Sequence, residues 1–167
     1  SQFGSRQPGV TGTFMSRDDA WVDFICDGQH VDFASLRVAT RAKPRGQCLL
    51  VTDAMPPLGG ERRAFALGNR RATAENGACW LEDGTLAGSA LDLASAVHNC
   101  VSHLGISAGD ALRMASTWPA RYMGLADRGE IAPGRRADLT ILSPALEVQA
   151  VIRAGSVVHD PSSLLEP

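Results

Sequence analysis

The sequence predicts an α/β fold, and three observations carry that reading. Residues 21–26 (WVDFIC) and 48–52 (CLLVT) are short apolar runs of strand length, and residues 32–43 between them space their apolar side chains as a helix does. The second run, Leu49-Leu50-Val51, does not alternate with polar residues, which is the pattern of a parallel strand buried on both faces. The tail, residues 129–158, changes character to LTIL, VQAVI and SVV, separated by Pro-Gly and Ala-Gly turns.

Taken in order, the opening stretch SQFGSRQPGVTGTFMS is rich in Gly, Ser and Pro, shows neither structural period and reads as a loop. A chain that opens in a loop with nothing before it reads as truncated. The strand at 21–26 ends at Asp27-Gly28, a turn, with Gln29 and His30 just beyond. The following helix has Arg41 and Lys43 in its last turn, where cations suit the carbonyl end, and Pro44 and Gly46 stop it. Strand, helix, strand with short loops favours parallel pairing through a right-handed crossover.

Residues 59–84 contain short runs broken by Gly-Asn, Asn76-Gly77 and Asp83-Gly84, the latter two being hairpin signals, and read as a small antiparallel excursion. Residues 89–103 (SALDLASAVHNCVSH) read as one helix with Leu91, Leu93, Ala94, Val97 and Val101 near one face and Gly105 as its stop. A second helix starts at Ser107, which with Asp110 forms a variant capping box, and runs to Pro119; a third, short one runs from Pro119 to about Met123. Three short tail strands are too few for an independent sheet and call for partners from elsewhere.

Composition bounds the function. With 167 residues, 44% hydrophobic and a formal charge of −2, the chain is a roughly neutral globular protein. Dispersed arginines and 5% aromatic content offer no nucleic-acid footprint. No apolar stretch nears the roughly 20 residues that span a bilayer, and no signal pattern opens the chain, so the expected compartment is the cytoplasm. Cys26, Cys48, Cys79 and Cys100 are far apart and read as core thiols.

The stretch CLLVTDAMPPLGG raises the chemical question, because a buried strand ends there in a single carboxylate, Asp53, behind a rigid Pro-Pro turn. Active sites of parallel α/β folds gather at the carboxyl ends of strands, and two consecutive strands here end in polar groups, Asp27 with His30 and then Asp53. Two readings stand. Asp53 caps the next turn, or it is a positioned, partly desolvated general acid/base that needs a water activated by a metal ion. His98, His103 and His159 share no ligand spacing with one another, so the chain by itself completes no metal site.

At these residues the chain resembles the N-acetylglucosamine-6-phosphate deacetylases of the amidohydrolase superfamily. The stretches that carry the resemblance are SRQPGVTG, CDGQHVDFASLRVA, LLVTDAMPPLG, DGTLAGSALDLASAVHNCV, DALRMASTWPARYMGL and GEIAPGRRADLTIL, in the family's order. The resemblance implies the carboxyl-terminal part of a (β/α)8 barrel at 1–128 and strands of a small β-sandwich domain at 129–167. It implies a catalytic Asp53 that activates a metal-bound water and protonates the departing amine. Substrate-binding roles fall to Asp27, Gly28, Gln29 and His30 of one loop, to Arg6 on the sugar phosphate and to the Leu86-Ala87-Gly88 backbone. The divalent metal, zinc or iron, has its Glu and two His upstream, the second His in a His-x-x-Asn-Ala-Met segment ending just before Ser1. The implied partners are an N-acetylated amino-sugar phosphate, the missing amino-terminal half of the barrel and a second copy in a homodimer.

Two other readings compete: an amidohydrolase acting on a different amide or a cyclic imide, and a non-catalytic barrel fragment. The segment from the Pro-Pro turn to GTLAGS leaves the preferred N-acetylated sugar open.

Overall fold

A computed structural model describes residues 3–60 and 63–165 of the chain. The expected strand-helix-strand unit is present. Strand β1 (Val22–Ile25) leads through helix α2 (Phe33–Ala42) to strand β2 (Cys48–Val51), and the strands pair in parallel with Val22 opposite Cys48 and Ile25 opposite Val51. Helix α2 starts where the Asp32 carboxylate accepts a hydrogen bond from the Ala34 amide at 2.7 Å, and it sends Leu36, 1% exposed, into the core. Cys48, Leu49 and Leu50 are all buried, as a strand covered on both faces requires, but Val51, expected to be buried with them, is 36% exposed at the strand's end, where the covering helices no longer reach.

Strands β3 (Ala64–Leu67), β4 (Arg70–Glu75), β5 (Ala78–Leu81) and β6 (Leu86–Ser89) form one antiparallel meander. Asn76 and Gly77, both at positive φ, close the two-residue β4–β5 turn as the sequence predicts. The excursion nevertheless extends beyond the expected 59–84, because Leu86–Ser89 adds its fourth strand. Residues 61 and 62 lie outside the described residues.

The helix expected over 89–103 begins later. Ser89 belongs to β6, and helix α3 (Leu93–Asn99) starts at Asp92, whose carboxylate accepts from the Ser95 amide at 2.8 Å. The periodic pattern ran through Ser89 because Leu91 is a core residue outside the helix. Its last turn widens into a π-helical turn over Cys100–Leu104, which ends at left-handed Gly105. Helix α4 (Ala108–Ala115) is capped by Ser107 Oγ, which accepts the Asp110 amide at 3.2 Å. It ends before Pro119, which instead lies in the first turn of helix α5 (Thr117–Tyr122), where a missing N–H costs nothing. Leu36, Leu50, Val97, Leu104, Met114 and Trp118 join the β1–β2 pair in one core. All four cysteines are buried, and burial pushes the Cys48 thiol up to about 11.

The opening stretch departs most from expectation. Residues Gly9–Met15 form helix α1, not loop, although the sequence there is poor in helix formers. The structure supplies what propensity does not: the buried Lys43 ammonium, 6% exposed, donates to the Phe14 carbonyl at 3.1 Å and to the Arg17 carbonyl, tying the helix's carboxyl end to the end of α2. The tail strands β7 (Leu139–Leu142), β8 (Val148–Arg153) and β9 (Ser156–His159) form a separate three-stranded antiparallel sheet.

Candidate functional site

Parallel register places the site. Asp27 and Asp53 each stand two residues beyond the last paired positions, Ile25 and Val51, so both carboxylates emerge at the same edge of the sheet. The turn between Asp27 and His30 is folded around the first of them. Asp27 Oδ1 accepts the amides of Gln29 and His30, both at 2.9 Å, and Oδ2 lies within hydrogen-bond distance of His30 Nδ1, at 2.7 Å. Gly28 permits this turn on two counts: its φ is +73°, and a Cβ there would come within 2.7 Å of the Phe33 ring. The Asp27 side chain is only 4% exposed. Burial pushes its carboxyl up, but the His30 amide, the His30 ring and the Gln29 amide together hold it below the ordinary carboxylate range.

His30 projects from this turn with its other nitrogen, Nε2, 3.5 Å from Asp53 Oδ2. Asp53 itself has a left-handed backbone, φ +50°, a conformation that Asp adopts more readily than most residues. Its side chain is 53% exposed and makes no hydrogen bond among the described residues, so it does not cap the following turn. Its backbone is pinned instead. The Ser89 amide donates to the Asp53 carbonyl and the Met55 amide to the Ser89 carbonyl, both at 2.9 Å. The buried Ser89 hydroxyl donates to the Thr52 carbonyl at 2.5 Å and accepts from the Leu91 amide at 3.0 Å. Gly88 lets this strand approach: a Cβ there would lie 2.4 Å from Met55 Cγ and 3.0 Å from the Asp53 carbonyl.

The structure therefore brings together Asp27, Gly28, Gln29, His30 and Asp53, with Leu86, Ala87 and Gly88 on the strand that holds Asp53 in place. Arg6 is exposed ahead of α1, and no hydrogen bond or ion pair joins it to these residues among those described. Sequence reasoning missed Asn99 and Ser89. Asn99 Nδ2, on the last turn of α3, donates to the Cys26 carbonyl at 2.8 Å, anchoring β1 immediately before Asp27. A lone amide at a half-buried position of an apolar helix is the signal that would have found it. A cleft of about 250 Å³ opens beside the turn, lined by Asp27, Gln29, Asn76, Leu91, Ser95 and Asn99.

An imidazole nitrogen and a half-exposed carboxylate facing each other form a pair able to exchange a proton with a bound molecule. Among the described residues no three His, Cys, Asp or Glu side chains converge to hold a metal ion, and Asp27 and His30 already spend facing atoms on each other. The residues described do not fit a metal centre on their own. No helix among them is long and apolar enough to cross a membrane.

The Amidohydrolase family profile matches residues 48–158. The N-acetylgalactosamine-6-phosphate deacetylase of Shewanella sp. (strain ANA-3) is 36% identical over 159 residues, 95% of this chain and 40% of that protein. The crystal structure of N-acetylglucosamine-6-phosphate deacetylase from Thermotoga maritima superposes with a TM-score of 0.88 at 34% identity, over 96% of this chain and 44% of that one. A Mycobacterium smegmatis N-acetyl-D-glucosamine-6-phosphate deacetylase, an aspartate-to-alanine mutant in complex with N-acetyl-D-glucosamine-6-phosphate, gives 0.86 at 32% identity, covering 95% of this chain and 42% of that one. The chain thus spans about two fifths of the length of these relatives. The resemblance carried by the sequence motifs is borne out, and the chain belongs to the amidohydrolase family.

Proposed function

We propose that this chain is the acid/base part of an N-acetylglucosamine-6-phosphate deacetylase, which hydrolyses its substrate to glucosamine 6-phosphate and acetate. The observation that carries the proposal is the approach of His30 Nε2 to Asp53 Oδ2, 3.5 Å apart at the carboxyl edge of the parallel pair. Asp53 takes a proton from the water that adds to the acetyl carbon, the C–N bond breaks, and Asp53 delivers that proton to the departing amine. His30 and Arg6 bind the substrate's polar groups, Arg6 offering a planar fork suited to a phosphate dianion. The turn glycine Gly28, Gln29 and the backbone of Leu86, Ala87 and Gly88 line the sugar.

In this reading residues 1–128 belong to a (β/α)8 barrel and 129–167 to a small β-sandwich, both completed by chain outside this sequence in a cytoplasmic homodimer. The divalent metal implied by the family would be held by ligands outside this chain, and it would supply a bound water of lowered pKa. This chain by itself is inactive. The 36% identical Shewanella relative favours a second reading, in which the substrate is the galactosamine epimer.

The test is acetate release by the full enzyme containing this chain, measured with both epimers of the 6-phosphate. Asp53→Asn is expected to lower kcat on the order of 100- to 10,000-fold. Arg6→Ala is expected to raise KM for the phosphorylated sugar and leave kcat nearly unchanged. An Asp53→Asn enzyme with wild-type kcat overturns the assignment.

A further inference from the structure

We propose that Asp27 is a positioning residue, which holds His30 in the tautomer protonated on Nδ1 and so leaves Nε2 as the nitrogen that meets substrate. The proposal rests on the substrate-binding reading of His30 and moves Asp27 from the substrate-binding role that the resemblance implies to a place behind the imidazole, out of contact with substrate. Three observations carry it. Both Asp27 oxygens have partners, Oδ1 two amides and Oδ2 the His30 Nδ1 at 2.7 Å, and the side chain is 4% exposed, so it presents almost no surface to a sugar. A carboxylate is an acceptor only, so the ring nitrogen it faces must carry the proton. Asn99 fixes the Cys26 carbonyl at 2.8 Å, immediately before Asp27, and so anchors the backbone from which the carboxylate projects.

The consequence is chemical. With Nδ1–H committed, a neutral His30 offers a lone pair on Nε2 toward the Asp53 side of the site, where it accepts from a substrate hydroxyl. The doubly protonated ring donates there to an anionic oxygen. A carboxylate behind an imidazole selects both tautomer and ring orientation; behind metal-bound histidines its removal costs on the order of 10- to 100-fold in activity, and a loss of that order is expected here.

The test reads the tautomer directly. In imidazole-¹⁵N-labelled protein at mildly alkaline pH, long-range ¹⁵N–¹H correlations distinguish the two tautomers, with His30→Gln assigning the signal. The expected result is a proton on Nδ1 of His30 in the wild type. Asp27→Asn keeps the Oδ1 acceptor for both amides but turns its NH₂ toward the ring, and is expected to move the proton to Nε2. A wild-type His30 protonated on Nε2, or an Asp27→Asn protein with an unchanged tautomer, overturns the proposal; if the variant does not fold, the wild-type spectrum alone decides. In the full enzyme Asp27→Asn is expected to lower kcat/KM about 10- to 100-fold, and wild-type kcat/KM overturns the positioning role. An enzyme that turns over neither amino-sugar 6-phosphate overturns the functional reading while the tautomer assignment stands, so the two failures are separable.

Discussion

The β1–β2 pair and the tail sheet β7–β9 are both built from short strands, yet they hold their residues by different means. Around β2, Cys48, Leu49 and Leu50 are buried beneath α3, α4 and α5, and polar groups such as Ser89 and Lys43 are buried with them and hydrogen-bonded. In the tail sheet Ala150 is the one buried residue among those described, and β9 is exposed along its whole length. The first region is registered by long-range packing, and its strand ends can therefore be held still enough for chemistry. The second closes by hairpins, the β8–β9 turn being tied as well to residues 137 and 138 just before β7, and buries little of its own surface.

Four changes would break or sharpen this contrast. The largest effect is expected from Leu36→Ala, which empties a fully buried site in the helix-covered core and should cost about 2–5 kcal/mol in urea unfolding. An unchanged midpoint would mean that the helical layer does not register the parallel pair. Gly88→Ala comes next. Its Cβ has no room against Met55 and the Asp53 carbonyl at φ +118°, so a loss of about 1–3 kcal/mol is expected, with activity of the full enzyme falling further than stability alone explains.

A smaller effect follows acid. Because the Asp27 carboxyl is held below its ordinary value in the folded state, its contribution to stability is fully present above the unfolded value of about 4 and fades as pH falls through the lower folded one. Urea midpoints of wild type and Asp27→Asn should converge on acidification across that window; parallel curves would show that the hydrogen bonds around Asp27 do not favour its charged form. The smallest is a gain in the tail. Ala154 and Gly155 close the β8–β9 turn with φ +49° and +82°, a left-handed pair that favours Asn-Gly. The Ala154 amide also donates to Asp138 Oδ1 at 2.7 Å and the Gly155 amide to the Ala137 carbonyl at 2.9 Å; Ala154→Asn should raise stability by about 0.5–1 kcal/mol, and a loss would show that the larger side chain disturbs these two bonds.

Much of this molecule could be read before its fold was known. Hairpin pairs such as Asn76-Gly77, the Ser107 cap, the Gly105 stop and the buried Leu49-Leu50 pair all appear where the sequence placed them, because each acts through bonds a few residues apart or through burial on both faces. The position of Asp53 at the end of a buried strand was legible for the same reason. Tertiary structure decided the rest. Helix α1 forms in a Gly-rich stretch because Lys43, 29 residues from Phe14 in sequence, reaches the Phe14 carbonyl in its last turn and the Arg17 carbonyl just beyond it. Ser89 leaves the helical pattern around it to pin Asp53 across 36 positions, and Asn99 holds β1 across 73. The 3.5 Å approach of His30 to Asp53 exists only when parallel register aligns two strand ends. No local propensity encodes such distances; they are set by which surfaces of the chain bury one another, a choice made by the whole core at once.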